Sequence, residues 1–103
     1  MIARIWHGVV PESKSDDYLE NQKEHGISDY LSTEGNRGVF VLRKNEEGKS
    51  HYLLLTLWDS VESIHNFAGE DIEKARYYPD DEDYLIELEP NVTHYEVVEF
   101  VRK

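Results

Sequence analysis

Residues 51–58, HYLLLTLW, set the strongest constraint on what this chain can become. Read as a strand, the run sends alternate side chains to opposite faces. Tyr52, Leu54, Thr56 and Trp58 then share one face, and Leu53, Leu55 and Leu57 the other. A strand with one solvated face alternates apolar with polar residues. This one is apolar on both sides, so both need cover. The chain has only 103 residues. A single domain of that size buries about two thirds of the surface its unfolded chain exposes. Covering two faces of a sheet from within is beyond it.

The rest of the chain tells where the cover comes from. Residues 2–10, IARIWHGVV, predict a first strand ended by Pro11. Ser15 is a candidate N-cap, and Asp16 and Asp17 suit the positive end of a helix. That first helix is expected over 16–32, with a bend or break at Gly26. Strand two is expected over 39–44, VFVLRK. The loop NEEGKS joins it to residues 51–58 as a hairpin. Asp59 and Glu62 have capping-box spacing for a helix from Ser60 to Phe67. GEDIEKARYYP reads as a further short helix, DDEDYLIELEP as a helical turn leading into extended chain, and 93–101 as the last strand.

Strand, helix, strand, strand, helix, strand is the split βαβ order of ferredoxin-like α+β folds. Residues 1–103 form one such domain. Right-handed crossovers place strands one and three side by side in the middle, expected parallel, with strands two and four at the edges. Both helices then cover the same face. The other strands are also apolar on both sides: Ile2, Ala3, Ile5, Trp6, Val9 and Val10 in the first, Val39 to Leu42 in the second. The uncovered face is a large apolar patch, and its simplest partner is a second copy packed sheet to sheet as a homodimer.

The net charge is −11, from 22 acidic and 11 basic residues. Nucleic acids and anionic membranes are repelled at that charge. DDED at 80–83 lacks the alternating spacing and central glycine of a calcium loop, so it reads as a solvated helix start. There is no cysteine, hence no disulfide, thiolate nucleophile or sulfur-ligated metal. The amino terminus carries Arg4 and His7 inside its apolar run and lacks a cleavage site, so a cytoplasmic protein is expected.

Of the five histidines, His7, His51 and His94 lie on strands. With strands one and three parallel, His7 and His51 are about five residues, or roughly 16 Å, apart. They then share no metal within one subunit, and no metal site is expected. His7 is either a satisfied core histidine or a pocket proton acceptor. His25 and His65 read as surface residues. No serine sits in a strand-to-helix elbow and no glycine-rich phosphate loop exists, so no nucleotide cofactor is expected. Trp6, Trp58, Phe67, Tyr77 and Tyr78 remain as lining for an aromatic cavity between helices and sheet, suited to a flat organic ligand, or as plain core.

GVVPE and LLLTLWDSVESIHNFAGEDIEKA, with Val9 to Pro11, Trp58, Ser60, Glu62 and Phe67 at the marked positions, resemble the antibiotic biosynthesis monooxygenase domain family. The resemblance spans nearly the whole chain. It implies a dimeric α+β barrel, two ferredoxin-like subunits joined by their sheets. It also implies cofactor-free oxidation of polycyclic or phenolic aromatics, the substrate anion itself reducing O2, with Trp58 the matching aromatic. His7 and Tyr77 or Tyr78 are the candidates to deprotonate or hold the phenol, and Trp6, Phe67 and Tyr78 to bind it. The family's haem-degrading branch has an Asn–Trp–His arrangement, where this chain places Ile5, Phe67 and Tyr77, so haem degradation is not expected. A non-catalytic small-ligand or stress-response barrel, and a structural dimer filled by its own aromatics, are the rival readings.

Overall fold

The computed structural model describes residues 1–103. Four strands form one sheet: β1 Ile2–Pro11, β2 Asn36–Glu46, β3 Lys49–Trp58 and β4 Thr93–Glu96, in the order β2-β3-β1-β4. Three helices accompany them: α1 Ser15–Glu24, α2 Gly26–Ser32 and α3 Val61–Ala68. The first helical stretch breaks beside Gly26, as its composition predicts. A Cβ there would lie 2.4 Å from the Gln22 carboxamide oxygen, so the glycine lets α1 and α2 meet closely.

Every neighbouring pair of strands is antiparallel, β1 and β3 included. This corrects the parallel arrangement expected for the two central strands. The helical crossover through α1 and α2 leaves β1 and β2 parallel with a gap between them. The β2–β3 hairpin fills that gap with a reversed strand. The correction moves the histidines. Val9 is opposite His51 and His7 opposite Leu53, so the separation of roughly 16 Å expected from parallel strands collapses to adjacency.

The helices cover one face. Arg4, Trp6, Gly8 and Val10 of β1, and Ser50, Tyr52, Leu54, Thr56 and Trp58 of β3, are buried beneath them. Tyr30, Phe67 and Trp58 pack as a cluster, with Tyr30 and Phe67 ring centroids 4.4 Å apart. The opposite face is open. Phe40, Leu42 and Leu53 on it keep 53%, 45% and 37% of their surface exposed, matching the two-sided strand pattern.

Several local expectations give way to tertiary contacts. Ser15 is the first residue of α1 rather than its cap, because its hydroxyl bonds the buried Tyr52 hydroxyl at 2.7 Å. Ser60, not Asp59, caps α3 by accepting from the Ser63 N–H, while Asp59 forms a bidentate pair with Arg37. No helix forms over 69–78. Gly69 turns the chain out of α3 at a φ of 87°, and the segment instead bonds across the molecule, Ala75 N–H to the Pro90 carbonyl and Val92 N–H to that of Glu73. A helix this short has little intrinsic stability, so such bonds prevail. Residues 79–83 do form the expected helical turn. The last strand ends at Glu96, where its partner begins at Ile2; residues 98–101 run on with Val98, Phe100 and Val101 exposed. No helix is long and apolar enough to cross a membrane.

Candidate functional site

The alternation of β1 decides which side chains can work together. Trp6 and His7 are neighbours in sequence and point to opposite faces of the sheet. His7 therefore belongs to the open face. Its Nδ1 lies 2.5 Å from a Glu89 carboxylate oxygen, and its Nε2 lies 3.3 Å from His51 Nδ1. The two imidazoles are nearly parallel, 12° apart with centroids at 5.6 Å.

Glu89 reaches His7 because residues 84–92 fold back along the edge of the sheet. Ile86 N–H donates to the Val9 carbonyl, which anchors this segment beside the end of β1. From the helix side, the Tyr77 hydroxyl donates to the Glu89 main-chain carbonyl. Tyr77 and His7 thus meet at one residue from opposite sides of the fold. Burial pushes the Tyr77 phenol above its usual range, so it stays protonated and keeps its donor role.

With Nδ1–H given to the carboxylate, the neutral His7 ring carries its lone pair on Nε2. That nitrogen accepts from His51 or from a ligand. A cavity of about 420 Å³ opens in front of it, with Leu42 and Leu53 as apolar wall and Lys44 and Glu46 as charged rim beside His7 and His51. The arrangement is an oriented proton acceptor with a second imidazole to share the proton. The two ring nitrogens also stand at the separation of adjacent ligands on one metal, but no third ligand joins them in a cluster.

The remaining site candidates lie on the other side. Trp58 is wholly buried, with its indole N–H donated to Thr56 Oγ1 at 2.8 Å. Phe67 and Trp6 are 6% and 5% exposed, within the same core cluster. Tyr78 donates its hydroxyl to Asp29 at 2.5 Å beneath the Arg76 guanidinium, and burial raises its pKa. No cavity lies between Trp58, Phe67 and His7, which corrects the expected pocket between helices and sheet. The sheet backbone separates them, and aromatic side chains fill the helix side. Ile5, Phe67 and Tyr77 are likewise divided, with Ile5 on the open-face side of β1. Glu89 and His51 are the residues that sequence reasoning missed. Glu89 sits in a stretch with no clear period, and a parallel β1–β3 pair would hold His51 away from His7.

No protein-family model matches the sequence, and no curated protein does. Solved structures do. A candidate antibiotic biosynthesis monooxygenase from Bacillus cereus superposes with a TM-score of 0.66 at 22% identity, over 99% of this chain and 97% of that one. The haem degrader MhuD from Mycobacterium tuberculosis, with two haems in its active site, gives 0.62 at 19% identity, over 99% of this chain and all (100%) of its own. An arginine-to-serine mutant of MhuD, with two manganese protoporphyrins per active site, gives 0.63 at 19%, with 100% of both chains covered. The chain has the antibiotic biosynthesis monooxygenase fold. At this fold's open sheet face stand His7, His51 and Glu89; on its helix-covered face stand the aromatics.

Proposed function

We propose that this protein is a cofactor-independent monooxygenase of the antibiotic biosynthesis type, acting on a phenolic or polycyclic aromatic small molecule. The observation that carries the reading is the Glu89–His7–His51 array, whose two imidazoles line a cavity with Leu42 and Leu53 as its apolar part and Arg43, Lys44 and Glu46 as its charged part. His7 Nε2 takes the acidic proton of the substrate. The resulting anion passes an electron to O2, and the two radicals combine. One oxygen atom stays in the quinone product and the other leaves as water. Glu89 orients the His7 ring and offsets its positive charge. Tyr77 is a positioning residue, since its hydroxyl fixes the main chain of Glu89. Trp6, Trp58, Phe67 and Tyr78 hold the sheet and helices at the spacing this geometry needs.

A second copy completes the site. The open face exposes Phe40, Leu42, Leu53 and Tyr95, and a two-fold, sheet-to-sheet homodimer buries them together. A stable interface needs roughly 800 Å² from each partner, and the open face of the four-stranded sheet is the surface offered for it. Closure excludes water from the His7 cavity, which favours proton and electron transfer there. Haem degradation has less support, because the sequence resemblance aligns Ile5, Phe67 and Tyr77 with the haem branch's Asn, Trp and His.

Oxygen consumption with a panel of anthrones and hydroquinones, without added flavin or metal, tests the reading. A general base typically contributes about 10²–10⁴-fold, so His7→Ala is expected to lose about a hundredfold or more in kcat. Glu89→Gln should lose less. Full activity in His7→Ala removes the role of that residue. Saturable binding of the aromatics with no oxygen uptake replaces the enzyme by a non-catalytic binder.

A further inference from the structure

We propose that the open-face site takes a phenol whose ring system carries a carboxylate at its far end, with Lys44 binding that carboxylate while His7 takes the hydroxyl proton. The inference rests on the reading of His7 as proton acceptor; it names the substrate class and the residue that selects it.

The strand register lays the site out as a grid. Leu53 of β3 is opposite both His7 of β1 and Leu42 of β2, so these three form one row across the sheet. Val9, His51 and Lys44 form the next row in the same way. Directly opposite residues project from one face. Lys44 therefore stands on the open face with His7, and both line the same cavity. They occupy opposite corners of the grid. Two strand spacings across and two residues along put their Cα positions roughly 12 Å apart. Leu53 and His51 flank the line between them, and Leu42 lies beside Lys44.

Both corners are free to act. Glu89 holds His7 through Nδ1, which leaves Nε2 toward the cavity. The Lys44 ammonium has three donors and one ion-pair partner, Glu46 at 3.2 Å, with 72% and 53% of the two side chains exposed. Exposed pairs of this kind are worth little, so the ammonium turns to a ligand at small cost. Arg43, the other cation at the cavity, is already committed to Asp16 and to the Tyr52 hydroxyl.

The charge balance of the cavity runs against that of the chain. Arg43 and Lys44 line it against Glu46 alone, where the whole sequence has 22 acidic residues to 11 basic ones. An anionic ligand is repelled by the protein at large and meets its free cation here at Lys44. A phenol with an adjacent carboxylate reaches one corner only. A fused two- or three-ring body with the two groups at opposite ends spans both, and its apolar middle rests on Leu42 and Leu53.

Fluorescence anisotropy of 6-hydroxy-2-naphthoate tests this directly, with 2-naphthol as the neutral analogue and 3-hydroxy-2-naphthoate as the analogue with adjacent groups. The first should bind about fivefold tighter than either of the others, the upper worth of a partly exposed ion pair. Lys44→Gln should abolish that preference and leave 2-naphthol binding unchanged, while Lys44→Arg keeps it. Glu46→Gln removes the competing carboxylate and should tighten the acid alone. In the oxygen assay, Lys44→Gln should raise KM for a carboxylated anthrone about fivefold and leave kcat as it is, because the contact is made equally in ground and transition states. Lys44 is exposed, so these variants should melt with the wild type. If 2-naphthol binds as tightly as the acid, or if Lys44→Gln keeps the preference, the proposal is overturned and the His7 reading stands. If no naphthol binds and no oxygen is consumed, both fall together.

Discussion

Leu53→Glu tests the assembly at its most sensitive point. Leu53 projects from the open face between Leu42 and His7, and 37% of its surface is exposed in the protomer. Burying that remainder against a second copy recovers a little over a third of the leucine's full burial energy, or about 1 kcal/mol. The glutamate forgoes this and must also be desolvated inside the closed interface, which costs several kcal/mol before water and side-chain adjustment relieve it. A conservative total is about 2 kcal/mol per copy. The two-fold doubles it to about 4 kcal/mol, or roughly a thousandfold in the dimer dissociation constant. The protomer itself should lose no more than about 0.5 kcal/mol, since the site is exposed there. Sedimentation equilibrium across the micromolar range reads the outcome: wild type at twice 12.1 kDa, Leu53→Glu at 12.1 kDa. Val61→Glu is the control, because Val61 is 43% exposed on α3, away from the sheet. A monomeric wild type, or a Leu53→Glu chain that dimerises as tightly, refutes the sheet-to-sheet reasoning.

Gly8→Ala should destabilise the fold by about 2 kcal/mol, the usual cost of overpacking a core, and lower Tm by about 10 °C. A Cβ on Gly8 would stand 2.2 Å from the Trp6 ring, which lies over it in the core, and unchanged melting would show that the ring moves freely. Stability should also fall as the solution is acidified below about pH 6.5, through His94. Burial first, then Arg4, depresses the His94 pKa in the folded state against a smaller opposing pull from Glu73, so the unfolded chain takes up the proton first. The contribution is present above the unfolded pKa and is lost as pH falls through the folded one. Urea titrations at about pH 7.5 and about pH 5.5 should show a smaller loss for His94→Gln than for wild type, and equal losses would remove His94 as the source.

How much of this was legible depends on whether the signal was local. The two-sided apolar run at 51–58 required a covered face and an uncovered one, and the structure has both. The helix break at Gly26 and the hairpin are equally local. What failed depended on direction or on distant partners. Reading β1 and β3 as parallel set His51 far from His7, though a hairpin entering a crossover gap must reverse its second strand. GEDIEKARYYP has a helical pattern, but the cross-molecule bonds of Glu73 and Ala75 outweigh so short a helix. Glu89 had no signal at all, because its role comes from residues 84–92 docking on Val9, a contact between segments far apart in sequence.

The proposed site and the helix-side core share one strand, and its register is therefore part of the chemistry. Arg4, Trp6 and Gly8 face the helices while Ile5, His7 and Val9 face away, so a slip of one residue would exchange every member of one site for the other face. Three contacts oppose such a slip. The Thr56 hydroxyl donates to the Arg4 carbonyl, the Trp6 ring needs the bare Cα of Gly8 beneath it, and Ile86 N–H donates to the Val9 carbonyl. The first ties β1 to the core, the second restricts residue choice at one position, and the third brings Glu89 to His7. Loss of the Gly8 contact should therefore disturb both faces at once, lowering turnover at His7 as well as the stability of the core.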